Sequence, residues 1–445
     1  HMIESDLLGH GFMEDHTVGF DALKEALDGQ TWDLLERQSG VPRSEMAELG
    51  DRLGAADKVV FVWSMGITQH ECGVENVRAI INLALTKGFL GREGCGLMPI
   101  RGHSGVQGGA EMGAYSTAFP GGLAVNEENA AKLGAQWGFE VPALPGMTAP
   151  EMIDAAHEDA LDVLFSVGGN FLEVLPDPDY VAEALGNIPL RVHMDLVVTK
   201  QMLLEPRDTV LLLPAATRYE TPGGVTQTST ERRVIFSPEI PGRRIGEARP
   251  EWEVFLDLAR RAMPEFADEL QFEDTAAVRR EIAKVVPFYK GIERLENTGD
   301  QFQYGGDHLC KDWQFDTPDG KAHFCAVEPR AEPLKEGEFI VTTRRGKQFN
   351  SMVQEKRDSL TGALRDAVFM SAEDAESLAL QEGDAVVLQS AAGAYEGRVY
   401  LAQVKQGSLQ VHWPEANVLM DRSKRAAIAG VPDYNAVVRI EKALK

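Results

Sequence analysis

Apolar positions along the chain change their spacing several times, and each change predicts an element. Over the first fifty residues Phe20, Leu23 and Leu27, then Trp32 and Leu35, recur at helical intervals; a turn follows at Gly40-Val41-Pro42, and a further helix is predicted from about Ser44 to Leu53. Val59-Val60-Phe61-Val62-Trp63 is a short unbroken run of β-branched and aromatic residues, which predicts a buried strand. It ends in Met65-Gly66-Ile67-Thr68, after which Val77, Ile80, Ile81 and Leu85 mark a helix. Strand, glycine-containing turn and helix are the start of a parallel α/β unit. The same pattern returns at Val163 to Val167 before Gly168-Gly169-Asn170, at Leu190 to Met194 before Asp195, and at Val210 to Leu213 before Pro214. Together these predict at least four parallel strands with helices between them, a doubly wound sheet of the α/β class.

Between the first and second units, Gly94 to Gly109 holds six glycines in sixteen residues. Each costs about 1 kcal/mol in a helix relative to alanine, so a loop is predicted whose backbone comes close to something. Residues 265–335 carry little periodicity and contain Gly305-Gly306 and Pro318-Asp319-Gly320, which reads as a linking segment. From Phe339 onward the runs are short and β-like: Phe339 to Thr342, Ala385 to Leu388, Gly397 to Leu401 and Ser408 to Val411, with a helix from Ser371 to Leu380 among them. This predicts a small C-terminal β-barrel. The expected division is a helical segment over 1–50, an α/β domain over 51–265, the linking segment over 266–335 and the barrel over 336–445.

Composition narrows the classes of function. A chain of 445 residues exceeds one ordinary core, and its 44% hydrophobic and 25% charged residues exclude a mainly disordered or fibrous protein. No stretch approaches the roughly eighteen apolar residues of a membrane span, and no secretory apolar core follows the N-terminus. A cytoplasmic protein is the expectation. The formal charge of -25 is spread along the chain, whereas binding nucleic acid requires clustered lysine and arginine; small molecules or proteins are the expected partners. Cys72, Cys95, Cys310 and Cys325 are too scattered to hold an iron-sulfur cluster or structural zinc by themselves, so no metal ligand is assigned within the chain. His1-Met2 looks like a cloning remnant and is left out of fold reasoning.

Three strand ends carry chemistry suited to a nucleotide. Gly66 with Thr68, Gly168-Gly169-Asn170, and Asp195 with Thr199 combine glycines that admit a phosphate with side chains that can bond a ribose or guanine edge. The alternative is that these glycines simply make tight turns. Arg101, in the glycine-rich stretch, presents paired planar donors suited to a small anion or carboxylate; it could equally be satisfied by backbone carbonyls. His103, two residues on, can donate or accept a proton, or be structural.

Four longer motifs carry a family resemblance. Ser64-Met65-Gly66-Ile67-Thr68-Gln69-His70, Glu75 to Ile80, Pro99-Ile100-Arg101-Gly102-His103-Ser104-Gly105-Val106-Gln107-Gly108, and Thr226 to Arg233 closely resemble the molybdopterin oxidoreductases, in the formate-dehydrogenase-like branch of the dimethyl sulfoxide reductase superfamily. The similarity runs from about residue 10 to the C-terminus. It implies a bis-molybdopterin guanine dinucleotide carrying molybdenum or tungsten, held between the α/β domain and the barrel. On the family's cofactor-contact positions fall Gly66, Thr68, Gly168, Gly169, Asn170, His193 and Asp195, and in the barrel Arg344, Gly346, Gln348, Asn350, Ser351, Asn417 and Asn435. Arg101 matches the arginine that in formate dehydrogenases lies beside the metal and holds the substrate; His103 is the second catalytic candidate on its own chemistry.

The resemblance also implies what this chain lacks. Family members begin with a cysteine-rich iron-sulfur segment and a Cys or selenocysteine that ligates the metal, all of which would precede residue 10. The first fifty residues then read as the end of a truncated α/β domain. The iron-sulfur cluster would belong to a partner chain. Formate dehydrogenases carry amides where His103 and Ser104 stand here, which points away from formate. The expected function is that of the C-terminal part or subunit of a molybdopterin-dependent oxidoreductase, completed by an N-terminal polypeptide or by self-association. The alternative is a non-catalytic paralogue that binds the pterin dinucleotide as a carrier or regulatory subunit.

Overall fold

A computed structural model describes residues 1–103, 105–242, 244–329, 334–346, 349–350 and 353–443, with the backbone alone at 349–350 and 353–354. The N-terminal segment is helical as expected, with helices at His10–His16, Phe20–Asp28, Trp32–Ser39 and Arg43–Ala55. Met2, set aside at the sequence level, is buried with Leu53, Ala84 and Phe89 in one apolar cluster.

The α/β region is built from parallel strands, but they form two sheets and not one. Val60–Ser64 pairs with Gly96–Ile100, the crossover being the helix Gly73–Leu85. Val163–Val167, Leu190–Asp195 and Thr209–Pro214 form a separate three-stranded sheet in chain order. The glycine-rich stretch is therefore only partly loop: Gly96–Ile100 is a strand, and Val106–Gly109 is a helical turn leading into Ala110–Ala114. Pro99 is compatible with that strand because each member of a two-stranded sheet is an edge, where a missing N–H is tolerated.

The expected burial of the first strand is not met. Val60 is 44% and Val62 55% exposed, whereas parallel sheets are ordinarily covered on both faces. Its residues alternate in exposure because only one face of this two-stranded sheet is packed. Leu211 and Leu212 on the edge strand Thr209–Pro214 are exposed for a related reason, since no further strand flanks them.

The segment after 265 contains a helix, Thr275–Val285, and a strand, Gln301–Gln303. That strand extends an antiparallel sheet with Arg233–Ser237 and Val225–Thr228. Val234, Phe236, Val286, Tyr289, Ile292, Leu295 and Tyr304 form its core, so the segment packs as a layer in its own right. Weak periodicity concealed this because much of the path consists of short 3-10 turns.

The C-terminal barrel is closed. Its strands run Phe339–Arg344, Ser408–His412, Ala367–Met370, Ala394–Leu401, Ala385–Gln389 and Asn435–Lys442, the last returning to the first. Val341, Val368, Met370, Val386, Leu388, Leu409 and Val411 fill it at zero exposure, and four of its strands contain the short β runs read from the sequence.

Asn417, Tyr434 and Asn435 at one end of the barrel help to seat it on the α/β region, alongside ion pairs from Arg422 (3.2 Å) and Arg425 (2.8 Å) to Asp154. Asn417, on the turn Glu415–Leu419, donates from Nδ2 to the carbonyls of Glu173 (2.9 Å), Val174 (3.2 Å) and Leu175 (3.3 Å). The Tyr434 hydroxyl donates to the Val174 carbonyl (2.9 Å), and Asn435 Nδ2 donates to His70 Nδ1 (2.9 Å). Replacing Asn417 with alanine strips a buried donor from three carbonyls, so Asn417→Ala is expected to cost roughly 1–3 kcal/mol in urea unfolding. A loss below about 0.5 kcal/mol would show that the amide does not hold the two units together.

Candidate functional site

The glycine-bearing strand ends lie where the barrel docks. After Val60–Ser64 the chain turns through Met65–Thr68 and enters the helix at Gly73, whose Cα must approach the Thr68 carbonyl so closely that a Cβ would sit 2.2 Å from the oxygen. Only glycine permits that turn. A Cβ built on Gly66 meets no atom within 4 Å, so its flank is open. The loop is braced from the barrel: Asn435 donates to His70 Nδ1, which leaves Nε2–H to donate to the Gly66 carbonyl (2.7 Å). Asp433 accepts from the Glu71 N–H (3.2 Å). Thr68 turns its hydroxyl to the Met65 carbonyl (3.2 Å).

The second strand end is built similarly. Gly168 has a φ of +63°, a left-handed conformation that disfavours other residues, and again a Cβ there would meet nothing within 4 Å. Gly169 gives its carbonyl to the amide of the buried Gln201, which also accepts from the Phe171 N–H (2.8 Å). Asn170 donates to Glu173 (2.7 Å), while its Oδ1 is buried with no partner. On the neighbouring strand, opposite Ser166, His193 is 1% exposed and neither ring nitrogen has a partner; the Thr199 hydroxyl is likewise orphaned. Asp195 accepts from the Leu196 N–H (2.6 Å). Burial, reinforced by the cationic Arg191 and opposed by Asp195, pulls His193 below the ordinary histidine value. Arg191 itself is fully buried and held by the carbonyls of Gln201 (3.1 Å) and Leu204 (2.7 Å).

Arg101 and His103 come together on one cavity of about 390 Å³, lined also by Gln107, Ser229, Thr230 and Glu231. One Arg101 nitrogen donates to the Pro99 carbonyl (3.0 Å), so the backbone satisfies part of the guanidinium and orients the remainder. The helical turn that carries Gln107 is tied to the opposite wall, Gly108 N–H donating to the Thr228 hydroxyl (2.9 Å).

The barrel residues do not all reach the strand ends. Arg344 bonds within the barrel, to Gln410 (3.4 Å), and lies over the Phe369 ring at 4.4 Å, its Nε buried without a partner. Gly346 is buried. Gln348 and Ser351 lie outside the described residues, and Asn350 is described only as backbone in the strand Phe349–Asn350. Asn417 and Asn435 contact the two strand-end loops directly. Sequence reasoning singled out neither the cavity-lining Gln107 and Glu231 nor His70, although each lies in a motif that carried the family resemblance. Among the described residues no three His, Cys, Asp or Glu side chains converge on a metal site, and no helix is long and apolar enough to cross a membrane.

Known proteins resemble this chain in sequence and fold. Residues 25–261 match the family described as molybdopterin oxidoreductase, and residues 339–438 match the molydopterin dinucleotide binding domain. The chain belongs to the molybdopterin oxidoreductase family, and its barrel is the family's dinucleotide-binding domain. It is 30% identical to protein YdeP of Escherichia coli K12 over 97% of this chain and 58% of that one. It is 31% identical to the F420-dependent formate dehydrogenase subunit alpha of Methanocaldococcus jannaschii over 94% of this chain and 63% of that one. The chain thus spans about three fifths of the curated relatives it matches. Acetylene hydratase from Pelobacter acetylenicus shares the fold, with a TM-score of 0.67 at 15% identity over 99% of this chain and 69% of that one.

The residues present fit a pterin dinucleotide. Two glycine cradles open to solvent, and Asn170 Oδ1, both His193 nitrogens and the Thr199 hydroxyl are buried polar atoms lacking partners, which a polar ligand would supply. His193 also yields a pH dependence. Its folded value lies below its unfolded one, so the stability that goes with the neutral ring is present above about pH 6.5 and is lost as pH falls through that range. His412 in the barrel behaves likewise. Wild type is therefore expected to lose stability on acidification more steeply than His193→Gln, as read by urea unfolding between about pH 7.5 and 5. Parallel slopes would show that the buried ring does not titrate with folding.

Proposed function

We propose that this chain is the cofactor-holding part of a molybdenum- or tungsten-dependent oxidoreductase that binds bis-molybdopterin guanine dinucleotide and acts on a small substrate. When bound, such a group supplies two-electron redox chemistry at its metal. The chain's own residues bind and orient. Gly66 and Gly168 let backbone N–H groups approach phosphate, Asp195 and Asn170 accept from ribose or guanine donors, and His193 and Thr199 complete the dinucleotide's hydrogen bonds. At the cavity, Arg101 holds negative charge on the substrate and His103 gives or takes a proton at a ring nitrogen.

The observation that carries this reading is the docking of one barrel end on both strand-end loops through Asn417, Tyr434 and Asn435, beside the unpartnered atoms of Asn170 and His193. An iron-sulfur cluster and a protein ligand to the metal would come from a partner polypeptide. A seat for such a partner, or for a second copy, is suggested by the apolar groove of about 660 Å³ that Phe20, Leu23, Leu27, Trp32, Leu35 and Leu83 line. Cytoplasmic placement accords with the absence of a spanning helix among the described residues, though the fold does not depend on it.

The test is chemical. Protein purified after expression with molybdate or tungstate and the partner should release GMP on acid hydrolysis in up to about twofold molar amount, together with pterin fluorescence. Metal-replete protein with neither GMP nor pterin would remove the proposal.

A further inference from the structure

The cavity wall at Gln107 is backed by a half-buried polar network, closed by two buried tyrosines, that sequence reasoning did not find. Glu111 lies one helical turn beyond Gln107, and its Oε1 accepts from Gln107 Nε2 (3.0 Å) and from the Tyr304 hydroxyl (2.8 Å). Its Oε2 accepts from the Tyr289 hydroxyl and from Tyr304 (2.7 Å). Gln107 Nε2 donates a second bond to the Tyr304 oxygen at 2.5 Å. The two phenol rings stack with centroids 4.6 Å apart, and both hydroxyls are pushed above the ordinary tyrosine value, first by burial and then by their bonds to Glu111. The donors that hold this carboxylate are thus two phenols and a carboxamide, all neutral.

This arrangement fixes which way the Gln107 amide faces. A carboxylate only accepts, so Gln107 cannot turn its carbonyl oxygen toward Glu111 without setting oxygen against oxygen. Both Nε2 hydrogens are engaged in the network, and the polar atom left for the cavity is Oε1. On the same lining Arg101 offers only donors, while the Glu231 carboxylate is already met by Arg233 Nε (3.4 Å). A plain carboxylate such as formate or acetate can answer Arg101 and leaves the Gln107 carbonyl oxygen unmatched. An anion with its own O–H or N–H answers both.

Building on the reading of this cavity as a substrate pocket, we propose that Glu111 is a positioning residue: it holds Gln107 with its carbonyl oxygen toward the cavity, and the pocket thereby selects small anions that also carry a hydrogen-bond donor, as 2-hydroxy carboxylates do. Tyr289 and Tyr304 keep Glu111 in place, and the selection is made by Gln107.

Calorimetric titration of the full chain with formate, acetate and glycolate tests this without any turnover. Glycolate is expected to bind about tenfold more tightly than acetate or formate, the scale of one matched hydrogen bond. In Glu111→Gln the new amide can either donate or accept, Gln107 is free to turn, and the preference should fall to about onefold while acetate still binds. Gln107→Leu should abolish the same preference without disturbing the Glu111–tyrosine bonds, and it stands in if Glu111→Gln fails to fold. Equal affinities in wild type, or an unchanged preference in either variant, overturn the proposal. Binding that survives Arg101→Ala, or no binding of any of the three anions to wild type, overturns instead the substrate-pocket reading on which it rests.

Discussion

Everything at the candidate site depends on how one end of the barrel is held against two loops that follow parallel strands. Those loops belong to separate sheets and share no strand pairing, so neither sheet fixes the other's position. Asn417 and Tyr434 grip the chain just after Asn170, while Asp433 and Asn435 grip it just after Gly66. A buried amide that feeds three carbonyls cannot slide without leaving them unpaired, which makes the docking specific as well as adhesive. This clamp brings the glycine-bearing loops of both sheets under one barrel end, as the proposed dinucleotide site requires.

Electrostatics follow the same division between overall balance and local placement. The chain is strongly acidic overall, yet it buries Arg191 completely in the strand Leu190–Asp195, and the half-buried Arg101 lines the cavity. Net charge bears on which partners approach; individual guanidinium groups held by backbone carbonyls decide what binds.

Much of this was legible in the sequence, and the physical reasons for what was not are particular. Short apolar runs such as Val163 to Val167 and Ala385 to Leu388 announced strands because β-branched residues suit a buried, extended chain. The glycines around Arg101 announced a loop of close backbone approach, and the cavity it lines emerges only from the fold. Division of the parallel strands into two sheets was hidden, since which strands pair is settled by packing and not by local pattern. Gly96–Ile100 was hidden too, its pairing being a matter of backbone bonds that glycine and an edge proline can still make. The Glu111 network left no local trace: its tyrosines stand 178 and 193 residues away in sequence, and a lone glutamate between glycines looks like any solvated one. Asn417 was singled out by resemblance alone, and only the fold shows its grip on the helix carbonyls.

Amide hydrogen exchange on the purified chain, with and without added molybdopterin guanine dinucleotide, tests the clamp most directly. If one ligand is gripped by both strand ends beneath the barrel, amides at 66–73, at 168–175 and at 433–435 slow together and by similar factors. Protection confined to one of the two strand-end loops, or slowing in the barrel alone, would contradict the account.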